Sequence, residues 1–106
     1  MEKWDNRKTN DLIGIILALK SEKEAKMFLR DLMTEKEILE FGNRWKAAQM
    51  LSGKESYPEI QNETGLSTRT IARISSWLKN GKGGYKSALD KIQHHNSSRK
   101  RLVMTA

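Results

Sequence analysis

The residues whose types and spacing suit chemistry lie in one stretch, Ser56 to Leu78, SYPEIQNETGLSTRTIARISSWL. Arg69 and Arg73 stand four apart, so on a helix they share a face, and Ser76 follows three residues later. Ser67, Thr68, Thr70 and Ala72 sit around them. Short polar groups and forked arginines near the start of a helix are what is needed to reach base edges in a major groove. The expected DNA-binding set is therefore Ser67, Thr68, Arg69, Thr70, Ala72, Arg73 and Ser76.

Such a helix has to be held in place, and the flanking residues have the grammar of a helix-turn-helix. Ser56 with Glu59 makes a capping-box pattern that opens a short helix, and Pro58 falls in its first turn, where a missing N–H costs little. Gly65 supplies a tight turn, because glycine enters the left-handed region without a Cβ penalty. Ser67 then caps the second helix. Ile60, Leu66, Ile71 and Ile74 fall where two steeply crossed helices must touch. Gln61 fits the pattern poorly, since a small residue there often allows close packing. An ordinary helical hairpin with a glycine turn would show much of the same spacing.

Before this stretch the chain reads as three helices. Residues 1–9 are polar and look frayed; from Asn10 or Asp11, DLIGIILALK has apolar positions 12, 13, 15, 16, 17 and 19 around most of its circumference. A small monomer needs only one apolar stripe on a helix, so this pattern predicts a partner subunit. Ser21 and Glu24 open the second helix, whose stripe is Ala25, Phe28, Leu29, Leu32 and Met33. Thr34 and Glu37 open the third, with Ile38, Phe41, Trp45 and Ala48 in its stripe, Leu39 and Leu51 beside it, and Gly53 at its end. After Leu78, NGKGG at 80–84 reads as a flexible connection to a last short helix, 85–93, with Tyr85, Ala88, Leu89 and Ile92 on one face. Residues 94–106 read as a mobile basic tail. The chain is predicted to be all-α and a single domain, with a dimerisation core at 10–53 and the helix-turn-helix at 56–78.

The 106 residues carry a net charge of +7, placed unevenly. Residues 1–64 hold 11 Lys/Arg against 12 Asp/Glu, whereas 65–106 hold 9 against one acid, Asp90. A surplus that begins at the second helix of the motif is the footprint of a surface for polyanions. A charged tail alone explains Arg99, Lys100 and Arg101 but not Arg69, Arg73, Lys79, Lys82 and Lys86.

Cysteine is absent, which excludes disulfides, thiolate metal sites and cysteine nucleophiles. His94 and His95 are adjacent and have no metal-ligand or triad spacing around them, and GKGG lacks the spacing of a phosphate loop. No catalytic residue and no metal site are expected. No run approaches a membrane span and the polar N-terminus lacks a signal-peptide pattern, so a cytoplasmic location with no membrane partner is the expectation.

The chain resembles the Trp repressor family over roughly residues 10–93, most closely from Thr34 to Leu78. The family's third helix begins with Leu-Thr and runs to a Gly-x-Arg; here Met33-Thr34 leads to Gly42-Asn43-Arg44 at matching spacing. Its N-E-L-G turn and A-T-I-T-R recognition helix are matched by Asn62-Glu63-Thr64-Gly65 and Arg69-Thr70-Ile71-Ala72-Arg73. One residue is missing between Arg44 and Gly53, and the ending GKGGYKSALDKI is more similar to the uncharacterised Trp-repressor-like branch of many bacteria than to the tryptophan sensor. The resemblance implies an intertwined homodimer that binds double-stranded DNA as a transcriptional regulator, a repressor reading a near-palindromic site. It puts Thr68, Arg69 and Thr70 closest to base edges and leaves phosphate contacts to Lys54, Lys79, Lys82 and the tail.

The resemblance also implies a ligand pocket at Thr34, Arg44 and Arg73, the positions that clasp tryptophan in the sensing repressors. Two departures argue against a tryptophan-like co-repressor. Ile74 replaces a glycine and Trp77 a serine, both putting bulk where the ligand would lie, and Trp77 is in a position to fill the cavity itself. No cofactor is expected, and DNA binding is expected to be independent of tryptophan. The competing function is a helical protein-interaction or non-specific nucleic-acid-binding module without a defined operator. In that case Arg69 and Arg73 are bulk positive charge, and Arg44 is a surface residue paired with Glu40 four positions away.

Overall fold

Capping side chains decide where the helices begin. The computed structural model describes residues 2–93, and the tail with its histidines and Arg99, Lys100 and Arg101 lies outside the described residues. The elements are α1 (Arg7–Ala18), α2 (Glu22–Leu32), α3 (Glu35–Ser52), α4 (Tyr57–Thr64) and α5 (Thr68–Asn80). A sixth helix, α6, occupies residues 84–93. Every regular element among the described residues is helical, as the periodicity predicts.

The first helix starts earlier than its apolar pattern suggests. Asn6 caps α1 by accepting from the Thr9 N–H at 3.1 Å, and Thr9 Oγ1 accepts from the Asn6 N–H at 2.9 Å. This reciprocal box uses polar residues only, so apolar periodicity does not reveal it, and residues 7–9 of the polar segment expected to fray belong to the helix. At α2, Ser21 Oγ accepts from the Glu24 N–H, while the Glu24 carboxylate reaches back to the Lys20 N–H at 3.0 Å. At α3 the capping box is complete: Thr34 Oγ1 accepts from the Glu37 N–H, and Glu37 accepts from both the N–H and the hydroxyl of Thr34. These bonds hold the Glu37 carboxyl below its usual range, the Thr34 backbone N–H contributing most and its hydroxyl next.

α3 stops at the expected glycine, with Gly53 the first residue beyond it, but the glycine does not take the left-handed turn. The helix ends at Ser52, and Lys54, at φ 63°, takes the left-handed position instead. Its N–H reaches Leu51 O and the Glu55 N–H reaches Met50 O, each at 3.0 Å, which is the paired closure of a Schellman motif.

The chain divides into two compact units, one up to Leu39 and one from Glu40 onward. In the first unit α1 and α2 contain no buried residue. Ile13, Ile15, Ile16 and Leu17 are exposed, Leu17 at 80%, and the expected α2 stripe is at most half-buried, with Leu32 exposed. The second unit holds the core. Ala47, Ala48, Ile60, Ile71 and Ile74 are fully buried, with Met50 nearly so, and Trp45, Leu51, Tyr57, Leu66 and Tyr85 pack around them. Trp45 stacks on Tyr85 with ring centres 6.4 Å apart and planes 15° from parallel, which ties α3 to α6. Ala47 and Ala48 of α3 share one buried cluster with Ile60 of α4 and with Ile71 and Ile74 of α5; the expected stripe contained only the second of these alanines.

The connection expected at 80–84 is shorter and more constrained than its composition suggests. Asn80 ends α5 and residue 84 already starts α6. Gly81 donates its N–H to Trp77 O at 2.9 Å, and a Cβ at this glycine would stand 2.4 Å from that same oxygen. No helix among the described residues is long and apolar enough to cross a membrane.

Candidate nucleic-acid interface

The α4–α5 unit is fixed from inside and capped at both starts. Ser56 Oγ accepts from the Glu59 N–H at 3.3 Å, the half of the expected box that forms. Gly65, at φ 72° and ψ 4°, closes α4 by donating its N–H to Gln61 O at 2.8 Å. Gln61 itself is exposed, so its size does not obstruct the crossing. The buried position at the turn is Thr64, whose hydroxyl donates to Ile60 O at 2.7 Å and accepts from the Leu66 N–H at 3.2 Å. Ser67 caps α5 by accepting from the Thr70 N–H at 3.1 Å and also bonds the Thr70 hydroxyl at 3.0 Å.

With Ile71 and Ile74 fully buried on one side, the rotation of about 100° per residue fixes what the other side presents. Arg69, Ala72, Arg73 and Ser76 form that outer face, and Ser67, Thr68, Arg69, Ala72, Arg73 and Ser76 are all exposed. Thr70 is half-buried, and its hydroxyl is engaged by the cap. The expected DNA-binding set thus falls together, with the Ser67 and Thr70 hydroxyls already holding the helix start. Arg69 carries the free guanidinium nearest that start, where a recognition helix meets bases.

The expected phosphate-contacting lysines divide between two sides. Lys54 and Lys79 line one cleft of about 510 Å³, together with Lys86 of α6. Lys82 lies in another, of about 610 Å³, with Trp77, Asn80, Gly81, Gly84 and Tyr85. Lys86, Leu89, Asp90 and Gln93 share a face of α6 at spacings visible in the sequence, but that this face turns toward α3 and α5 follows only from the packing.

Two of the three expected ligand-pocket residues have local partners. Thr34 is spent on the α3 cap. Arg44 pairs with Glu40 at 3.4 Å and lies over the Phe41 ring at 5.5 Å, while its buried Nε has no hydrogen-bond partner. Arg73 is exposed. The two bulky substitutions separate: Ile74 is a core residue at 0% exposure, whereas Trp77 is 44% exposed and borders the 610 Å³ cleft. Ile74 therefore supplies packing, and the cleft that Trp77 borders is lined by none of Thr34, Arg44 and Arg73. Among the described residues no group of three or more His, Cys, Asp or Glu could hold a metal ion.

Comparison with known proteins agrees with this architecture. The model of the family described as "Trp repressor protein" matches residues 7–93. The uncharacterised protein YerC of Bacillus subtilis is 36% identical over 93 residues, 88% of this chain and 89% of its own. A crystal structure of a TrpR-like protein from Eubacterium eligens superposes with a TM-score of 0.82 at 34% identity, covering 86% of this chain and 94% of that one. A Staphylococcus aureus protein provisionally described as a Trp repressor gives 0.80 at 29%, covering 88% and 96%. Nearly the whole described chain is matched, from the capped start of α1 through α6, and it belongs to the Trp repressor family, a family of DNA-binding regulators.

Proposed function

We propose that this protein is a sequence-specific transcriptional regulator, acting as a cytoplasmic homodimeric repressor that reads a near-palindromic DNA site with α5. The observation that carries this reading is α5 itself. One side is locked by fully buried Ile71 and Ile74, and the other offers Arg69, Ala72, Arg73 and Ser76 to solvent beside a fixed helix start. A helix held this firmly meets a groove with little loss of conformational freedom. Eight of the eleven exposed large apolar side chains among the described residues lie in the unit up to Leu39, which favours a second copy as their cover. Two-fold symmetry then sets two half-sites roughly 34 Å apart.

Tryptophan is not required in this reading. Trp77 brings an indole to the flank of α5 from within the chain, and Arg44 already has Glu40 and Phe41 beside it. Selection of bound sites from random duplexes, with and without tryptophan, tests both parts. A palindrome recovered equally in both conditions supports the reading, and one recovered only with tryptophan removes its ligand-independent part. No enrichment, with binding that collapses in salt, favours the non-specific module instead. On a recovered site, Arg69→Ala should cost about 1–3 kcal/mol and relax preference at one position.

A further inference from the structure

The cleft that collects Lys54, Lys79 and Lys86 has a composition the recognition helix alone does not explain. Its apolar floor is Leu51 of α3, Leu78 of α5 and Leu89 of α6, all half-buried, and the three lysines come from three separate segments. Asp90 is the only acid in the lining, and none of these four charged groups forms an ion pair among the described residues. Three lysines against one carboxylate leave the lining with a net positive charge, which favours an anion as occupant.

The backbone adds an independent observation. Lys54 holds the left-handed position of the Schellman motif, where glycine is the residue of least cost, although Gly53 stands next to it. A lysine kept in a conformation that penalises its Cβ points to a task for the side chain. On α5, Leu78 continues the buried side of Ile71 and Ile74, while Ser75 and Lys79 form the flank toward the outer face, so the cleft borders the surface that carries Ala72 and Ser76.

We propose that this cleft takes a backbone phosphodiester of the DNA that α5 reads, with the lysines around the phosphate and the leucines against the adjoining sugar. The inference rests on the DNA-binding reading and extends the interface to α6. Asp90 acts within it as a built-in brake, a fixed negative charge that lowers affinity for the phosphate.

Binding of the whole protein to a labelled random-sequence duplex, followed by anisotropy across a salt series, tests it. Lys86→Ala and Lys54→Gly should each weaken binding uniformly across sequences and lower the salt slope by about one, and together by about two. Lys54→Gly should also keep or raise the melting temperature, so that its loss of affinity is not a loss of fold. Asp90→Asn should tighten binding, an outcome that misfolding does not produce. If the wild-type protein binds with a steep salt slope and all three variants match it, the cleft assignment falls while the DNA-binding reading stands. Absence of salt-dependent binding by the wild-type protein sinks both. Inorganic phosphate that shifts the Lys54 and Lys86 amide resonances, without any variant altering DNA binding, makes this a site for free phosphate and overturns the DNA assignment.

Discussion

The two units of this chain use their apolar residues in opposite ways. From Glu40 onward, small and branched side chains close on one another, and Ala47, Ala48, Ile60, Ile71 and Ile74 are lost to solvent entirely. Up to Leu39 the helices are as well capped as those that follow, yet neither α1 nor α2 buries a single residue. Local signals are therefore satisfied in both units, but tertiary burial is satisfied in one. Helices of this length gain most of their stability from packing an apolar face, and the exposed apolar side chains of the first unit are what the proposed dimer would cover.

The largest expected effect tests the closed unit. Ile71→Ala removes a fully buried side chain and should cost about 2–5 kcal/mol in a urea melt; a cost under about 1 kcal/mol would mean that this core is not tightly packed. Leu17, at 80% exposure, tests the open unit. Leu17→Ala should weaken self-association by about 1.5–3 kcal/mol at each copy it covers, read by sedimentation equilibrium. An unchanged or absent dimer would take away the contrast drawn between the units.

Gly81→Ala should destabilise by about 1–3 kcal/mol, since its Cβ would press on Trp77 O and either the end of α5 or the start of α6 must shift. Thermal denaturation with and without the substitution reads this; a neutral result would restore the view of 80–84 as a loose connection. The smallest effect concerns pH. The folded state lowers the Glu37 carboxyl pKa through its bonds to Thr34, so this contribution is present above the unfolded carboxylate range and is lost as pH falls through the folded value. Thr34→Ala should flatten that part of the acid limb of melting temperature against pH; an identical limb in the variant would separate the cap from acid stability.

Much of the second unit is legible in the order of its residues. Ile60, Ile71 and Ile74 follow from helical spacing, Gly65 from turn chemistry, and Ser56 and Ser67 from capping, because each depends on neighbours within one or two turns. The box of Asn6 with Thr9 is less visible because it contains no acid and precedes the apolar run. Lys54 in place of Gly53 is not legible, since the choice between adjacent residues depends on which carbonyls the closing N–H groups reach.

Ile74 and Trp77 show where sequence reasoning stops. As residue types both add bulk, and three positions apart they lie on neighbouring parts of α5. Packing of α5 on α3 and α4 sends Ile74 into the core and leaves Trp77 on a flank beside Tyr85. The convergence of Lys54, Lys79 and Lys86 is of the same kind. The sequence by itself determined the helices, the N-terminal caps of α2 to α5, the turn at Gly65, the outward set on α5 and the basic second half, all of which depend on local periodicity, capping chemistry or counting charge. Tertiary structure decided which flank of each helix is covered and which distant lysines share a cleft, because those depend on the angles at which separate helices meet.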